Sequence, residues 1–258
     1  MRRASDWELR IMHERQTWED NSFITLTYAP GHLPPNSSLE HRDFQLFLKR
    51  LRKDRTGKVI RYYMCGEYGP LNQRPHYHAC IFNEGFRDDR KPAGKSASGE
   101  LYYSSKRLDD LWTHGRTSVQ DLTRETASYC ARYIMKKQLG ESAKTAYETI
   151  TEDGEIIQRQ PEYNAMSLKP GIGADWLKKY EKDVYNNDYV IQNGQKRTPP
   201  RYYDKLLKRK EFDKHETLTE TRVTRAKAHY LDNTDDRLAV RETVEKARIS
   251  KLNRTLES

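Results

Sequence analysis

The sequence predicts an α+β fold in which an antiparallel sheet is covered by helices, and three stretches carry that prediction. Phe23-Ile24-Thr25-Leu26-Thr27-Tyr28 concentrates β-branched and aromatic residues, as a strand does. Val59–Cys65 and Arg74–Phe82 read as two strands on either side of a hairpin connection running from Gly66 to Pro75, and neighbouring strands joined in this way usually pair antiparallel. Phe44, Phe47, Leu48 and Leu51 recur at i, i+3, i+4 and i+7, so residues 38–53 form a helix with one packed face.

The remaining elements follow in chain order. Ser5-Asp6-Trp7-Glu8 has the form of a capping box, and Trp7, Ile11 and Trp18 share a face of the helix it opens. Asn21 and Ser22 interrupt that pattern before the first strand, which Pro30-Gly31 and Pro34-Pro35 end. Ser37-Ser38-Leu39-Glu40 offers a second capping box for helix 38–53, and Thr56-Gly57 turns the chain into the strand at Val59. Residues 83–100 are rich in Gly, Lys, Ser and Asp and read as an exposed insertion. Leu108, Leu111 and Trp112 suggest a short helix ended by Gly115, with a short strand over 116–122 and a helix over 123–139. Tyr147–Thr151 and Ile156–Gln160 flank Asp153-Gly154, a hairpin signal, and Tyr189–Gln192 before Asn193-Gly194 is another. Between them, Trp176, Tyr180 and Val184 mark a helix over 174–185. From Pro199 the chain is charged, with a thin apolar stripe, and reads as peripheral helix.

Composition narrows the function classes. Hydrophobic residues make up 35% and charged residues 33% of the 258 residues, so the core is confined to part of the chain. A formal net charge of +9 with 17 tyrosines favours a polyanionic partner over an acidic or neutral one. The three cysteines, Cys65, Cys80 and Cys130, form no C-x-x-C pair, which argues against a disulfide framework or a cysteine-rich zinc site and fits a reducing cytoplasm. No apolar run is long enough to cross a bilayer, and no secretory h-region follows the first residues.

Two stretches carry chemistry. In Arg74-Pro75-His76-Tyr77-His78-Ala79-Cys80-Ile81-Phe82, alternation puts His76 and His78 on one side of the strand and Tyr77 and Ile81 on the other. Two imidazoles on one face can chelate a single metal ion, and a strand that simply carries two structural histidines is the other meaning the residues leave open. In Ala127–Lys137, Ala127, Cys130, Ala131 and Ile134 gather on a packing face, while Tyr129 and Tyr133 are i, i+4 neighbours with Lys136 and Lys137 one turn on. A phenol near cations can act as a nucleophile on a phosphodiester; two amphipathic tyrosines at a helix rim are the alternative.

Taken together, these motifs resemble the HUH endonuclease superfamily of replication initiators, in particular the microvirus (gokushovirus-type) group. Phe23–Tyr28 matches the first motif, Cys65-Gly66-Glu67-Tyr68-Gly69 through Arg74-Pro75-His76-Tyr77-His78 the second, and Tyr129–Lys137 the third. Met166-Ser167-Leu168-Lys169-Pro170-Gly171-Ile172-Gly173 is similar to a further segment of that viral group. The resemblance implies a five-stranded antiparallel sheet of the ferredoxin-like HUH type with the histidine strand central, spanning 1–205, followed by a charged helical extension over 206–258.

It also implies an activity: nicking of single-stranded origin DNA, with one tyrosine joined to the 5′ phosphate and a free 3′ hydroxyl that primes rolling-circle replication of a circular phage genome. Carried over, His76 and His78 are metal ligands for Mg²⁺ or Mn²⁺, with Glu67 on the neighbouring strand as the third. Tyr129 and Tyr133 are the nucleophiles, and Lys136, at Tyr-x-x-Lys spacing from Tyr133, stabilises charge. Arg132 departs from the lysine that related initiators often carry there. No Gly-x-x-x-x-Gly-Lys-[Ser/Thr] stretch is present, so a host helicase, with a host DNA polymerase, is implied in the bacterial cytoplasm. A plasmid initiator or relaxase with the same chemistry, a metal hydrolase without a covalent adduct, and a non-catalytic nucleic-acid-binding protein are the alternatives. The nicking chemistry requires a tyrosine hydroxyl that is on the histidine side of the sheet and within reach of DNA.

Overall fold

The computed structural model describes residues 2–70, 72–96, 99–132, 147–150 and 154–251. In chain order these form α1 (Arg2–Arg15), β1 (Asn21–Tyr28), α2 (His41–Asp54), β2 (Arg61–Tyr68), β3 (Pro75–Phe82), β4 (Lys91–Lys95), β5 (Leu101–Ser104), α3 (Lys106–Leu111), β6 (Gly115–Asp121) and α4 (Arg124–Arg132). There follow β7 (Glu148–Ile150), β8 (Ile156–Gln158), β9 (Tyr163–Met166), α5 (Ala174–Asn187), β10 (Val190–Gln192), β11 (Gln195–Arg197), α6 (Arg201–Lys210), α7 (Phe212–Ala228) and α8 (Asp235–Ser250). The chain divides into two compact units, one ending at Lys179 and one beginning at Tyr180.

In the first unit a seven-stranded antiparallel sheet has the order β4-β5-β6-β1-β3-β2-β9. The architecture is α+β, with a sheet larger than the five strands expected. The excess comes from the segment read as an insertion. Residues of β4 and β5, despite their Gly-Lys-Ser composition, pair as a hairpin and join β6 through Tyr103 opposite Val119. Ladder hydrogen bonds at a sheet edge need no apolar side chains, so composition does not reveal such a hairpin. Strand β9 carried no sequence signal either; it pairs with β2 from Tyr63 opposite Met166 to Gly66 opposite Tyr163.

Every residue of β3 is buried, because helices cover both faces of the sheet. One face holds Ile24, Leu26, Tyr77, Ala79 and Ile81 against Phe44, Phe47, Leu48 and Leu51 of α2. Phenols buried there keep partners: Tyr28 donates to Asp43 Oδ2 at 2.6 Å and Tyr77 to the Glu40 carbonyl at 2.7 Å. The opposite face, bearing His76, His78 and Cys80, is covered by α1 and α4. Burial of the α2 stripe follows the predicted spacing, but α2 begins at His41 and its cap is Glu40, whose side chain accepts from Arg42 N at 2.8 Å. Likewise α1 begins at Arg2, so Ser5 lies inside the helix, and Trp18 lies beyond it.

Helix α1 also fastens the segment after β9. Glu14 accepts from Arg61 Nε at 2.5 Å and from Gly173 N at 2.7 Å, Arg10 donates to the Ile172 carbonyl at 3.0 Å, and Arg61 donates to the Pro170 carbonyl at 2.8 Å. The Met166–Gly173 motif thus has a structural role, since its backbone satisfies charges buried under the sheet.

In the second unit, Asn193 and Gly194 both take positive φ between β10 and β11, the turn their sequence demands. Arg222 of α7 bridges Asp188 at 2.6 Å and Asp204 at 2.9 Å. Residues of α7 and α8 are otherwise largely exposed, as their thin apolar stripe implies.

One buried titratable group gives the first unit a pH signature. His13 stacks on Trp176 with centroids 3.5 Å apart, and burial lowers its pKa to about 3. The unfolded chain, with an ordinary histidine near 6.5, binds a proton there that the folded chain refuses. The contribution is complete above that value and is lost as pH falls towards 3, at about 1.4 kcal/mol per pH unit. Urea titrations at pH 7, 5 and 4 are expected to show a shallower loss of stability for His13→Phe, which keeps the stack and cannot titrate, than for the wild type.

Candidate metal centre and active site

The register of three strands assembles the site. His76 lies opposite Glu67 of β2 and Thr27 of β1, and His78 lies opposite Cys65 and Thr25. Directly opposed residues point to the same side of a sheet, so all of these side chains share the α1–α4 face. Strand β2 runs on to Tyr68, past the Gly66 at which the hairpin connection was expected to start, so Glu67 is held by the ladder and not by a loop. Its neighbour Gly66 points to the other face, where a Cβ would come within 3.1 Å of Leu39 and Tyr163 and 3.2 Å of Tyr77. Close packing therefore explains the glycine in Cys-Gly-Glu.

Glu67 Oε1 lies 3.0 Å from His76 Nε2 and 2.9 Å from His78 Nε2, and all three side chains are buried. One ligand atom from each of the three lies within 4.8 Å of the others, a group that can hold a metal ion. Both rings are oriented from behind: His76 Nδ1 lies 3.1 Å from the Arg74 carbonyl and His78 Nδ1 lies 2.9 Å from Thr25 Oγ1. Burial alone would raise the Glu67 carboxyl, but its hydrogen bonds to His76 and His78 and their charge outweigh that and hold it at about 2. The carboxylate is thus ready to act as an anionic ligand at neutral pH. Two imidazoles and a carboxylate are a fitting donor set for a divalent cation.

Helix α4 packs on this face through Ala127, Cys130 and Ala131, the stripe the sequence assigned to packing. That places Tyr129 over the cluster. Its hydroxyl donates to Glu67 Oε1 at 3.1 Å, and its ring stands edge-on to His78 at 4.9 Å and to Phe23 at 6.2 Å. Tyr129 is on the required side of the sheet but is only 2% exposed, where nicking chemistry needs access to DNA. A phosphodiester can meet this hydroxyl only after Tyr129 leaves its seat. Tyr133 and Lys136 lie outside the described residues, as does Ile134 of the packing stripe.

The cysteines sit beneath the same helix. All three are free and buried, Cys65 Sγ is 3.5 Å from Cys130 Sγ, and Cys130 Sγ is 3.7 Å from the His78 carbonyl. Burial pushes the Cys65 and Cys130 thiols well up, so they pack as neutral groups. Thr25 was legible only as a strand residue; the period-2 count that pairs it with His78 needs the β1–β3 register, which sequence alone does not supply.

Fold and site together define an α+β protein whose large antiparallel sheet presents a buried Glu-His-His cluster to a tyrosine-bearing helix. Residues 21–138 match the family model of the replication-associated protein ORF2 group. The chain is 36% identical over 221 residues to replication-associated protein VP4 of Bdellovibrio phage phiMH2K, covering 82% of this chain and 65% of that protein. It is 33% identical over 220 residues to replication-associated protein ORF2 of Spiroplasma virus 4, covering 80% and 64%, and 26% identical over 214 residues to replication-associated protein ORF4 of Chlamydia phage 1, covering 81% and 51%. The chain therefore spans between about half and two thirds of the length of these relatives. No solved structure matches it. The family model and the phage relatives assign the chain to the microvirus-type replication-associated proteins.

Metal binding is checked by thermal denaturation of the full chain with Mn²⁺. At a hundredfold excess over Kd the folded state is expected to gain about 2.7 kcal/mol, and His76→Ala or His78→Ala to abolish the gain. Imidazole protonation competes with the cation, so the gain is expected to shrink as pH drops from 7 to 5.

Proposed function

We propose that the protein is a replication initiator that nicks single-stranded origin DNA by tyrosine attack, with the catalytic domain in residues 1–205 and residues 206–258 as a charged extension. The observation that carries this is the Tyr129 hydroxyl, 3.1 Å from the carboxylate oxygen on which both histidines converge. His76, His78 and Glu67 hold a divalent cation, Mg²⁺ or Mn²⁺, and the two imidazoles favour Mn²⁺, since Mg²⁺ prefers all-oxygen shells. The cation supplies Lewis acidity to the scissile phosphate.

The phenol oxygen of Tyr129 or Tyr133 bonds to phosphorus, the P–O3′ bond breaks, and the proton lost by the phenol is balanced by the one the 3′ oxygen takes up. The product is a 5′ phosphotyrosine and a 3′ hydroxyl that a host polymerase extends behind a host helicase, in the cytoplasm of the bacterial host. The second tyrosine attacks when the origin is regenerated, so the bond energy is conserved through rejoining. Lys136 offsets charge on the phosphate, and the formal net charge of +9 draws the strand to the protein. Support comes from the phage replication-associated relatives, the buried Glu-His-His group, and the placement of Tyr129 on it.

Incubation of the full chain with origin single strand and Mn²⁺, read on a denaturing gel, tests the proposal. A covalent protein–DNA adduct at the 5′ side of the nick is expected, lost in Tyr129→Phe/Tyr133→Phe and reduced about a thousandfold in His78→Ala. A nick with no attached protein indicates a metal hydrolase; binding without a nick indicates a non-catalytic nucleic-acid-binding protein. Either result overturns the proposal.

A further inference from the structure

His76 and His78 face Glu67 through Nε2, but they are held from behind by different groups. A backbone carbonyl can only accept, so His76 Nδ1, 3.1 Å from the Arg74 carbonyl, carries the proton and leaves the Nε2 lone pair directed at the cluster. The Nδ1 of His78 instead faces a hydroxyl, Thr25 Oγ1 at 2.9 Å.

Thr25 and His78 are opposed residues of β1 and β3, so the ladder fixes the spacing of their side chains. Phe23, two residues along the same face of β1, stacks on the His78 ring at 5.4 Å and 12°. Tyr129 meets the ring edge-on from the other direction at 4.9 Å. Apolar stacking restricts the ring's plane but does not distinguish one ring nitrogen from the other. The hydroxyl is the contact that does.

We infer that Thr25, the central threonine of the Phe-Ile-Thr-Leu-Thr-Tyr strand, is the positioning residue of the metal centre, its hydroxyl accepting the Nδ1 proton of His78 and so aiming the Nε2 lone pair at the cation. This rests on the metal-centre reading given under Proposed function. Thr25 itself touches neither metal nor DNA. It gives the first strand motif a chemical role that strand propensity does not explain: valine or isoleucine would fill the strand equally well, whereas only a side chain with a short polar atom can orient the imidazole.

Isothermal titration of the full chain with Mn²⁺ tests this. Thr25→Val, which keeps the shape and removes the hydroxyl, is expected to bind Mn²⁺ about 10–100-fold more weakly, and Thr25→Ser to recover to within about threefold of wild type. Urea unfolding without metal, run beside it, separates a merely structural hydroxyl, which lowers stability and leaves Mn²⁺ affinity unmoved. Unchanged affinity in Thr25→Val, with binding lost in His78→Ala, overturns the role of Thr25 and leaves the metal centre standing. Failure of the wild type to bind Mn²⁺ overturns both. A second readout needs no variant: ¹⁵N shifts of the wild type loaded with Mg²⁺ are expected to show His78 protonated at Nδ1, and a bare Nδ1 refutes the inference.

Discussion

The register of β3 between β1 and β2 is the constraint on which everything else depends. Alternation sends His76, His78 and Cys80 to one side and Tyr77, Ala79 and Ile81 to the other. Pairing on both edges then decides which neighbours these residues meet: Glu67 beside His76, and Thr25 beside His78. A slip of one residue would turn the imidazoles into the α2 core and bring Tyr77 out in their place, so fold and site stand or fall together. The apolar stripe of α2, with Phe44, Phe47 and Leu51 fully buried, is what makes such a slip costly.

Burial gives the Glu-His-His cluster its character and also its difficulty. A carboxylate removed from water would ordinarily be protonated, and the two imidazoles are what keep Glu67 ionised. The same enclosure holds the Tyr129 hydroxyl against Oε1 and away from any DNA strand. The cation and the phenol thus address one oxygen atom, and the loading of one bears directly on the placement of the other.

Much of this was legible in the sequence because it depends on short periods. The His-Tyr-His alternation, the α2 stripe, the packing residues of α4 and the Asn193-Gly194 turn are each set by neighbours a few residues apart, and the structure has them as read. What sequence did not disclose depends on pairing between distant segments. The β4–β5 hairpin adds two strands through backbone bonds that composition does not encode, and β9 docks beside β2 from a distant part of the chain. Glu67 was placed near the neighbouring strand's end, and the longer β2 puts it inside the ladder. The capping boxes misled because Ser5 and Ser38 compete with other starts: α1 already runs from Arg2, and Glu40 caps α2 with its own carboxylate.

Cys65 and Cys130 face each other across the seam between β2 and α4, with Cys80 on the adjoining strand, all sealed from solvent. Neutral thiols in that seam are inert to an alkylating reagent until the helix lifts. The helix that shields them is the one carrying Tyr129. The pace of alkylation in the native protein is therefore a clock for the motion that uncovers the phenol, readable without DNA, without metal and without any substitution.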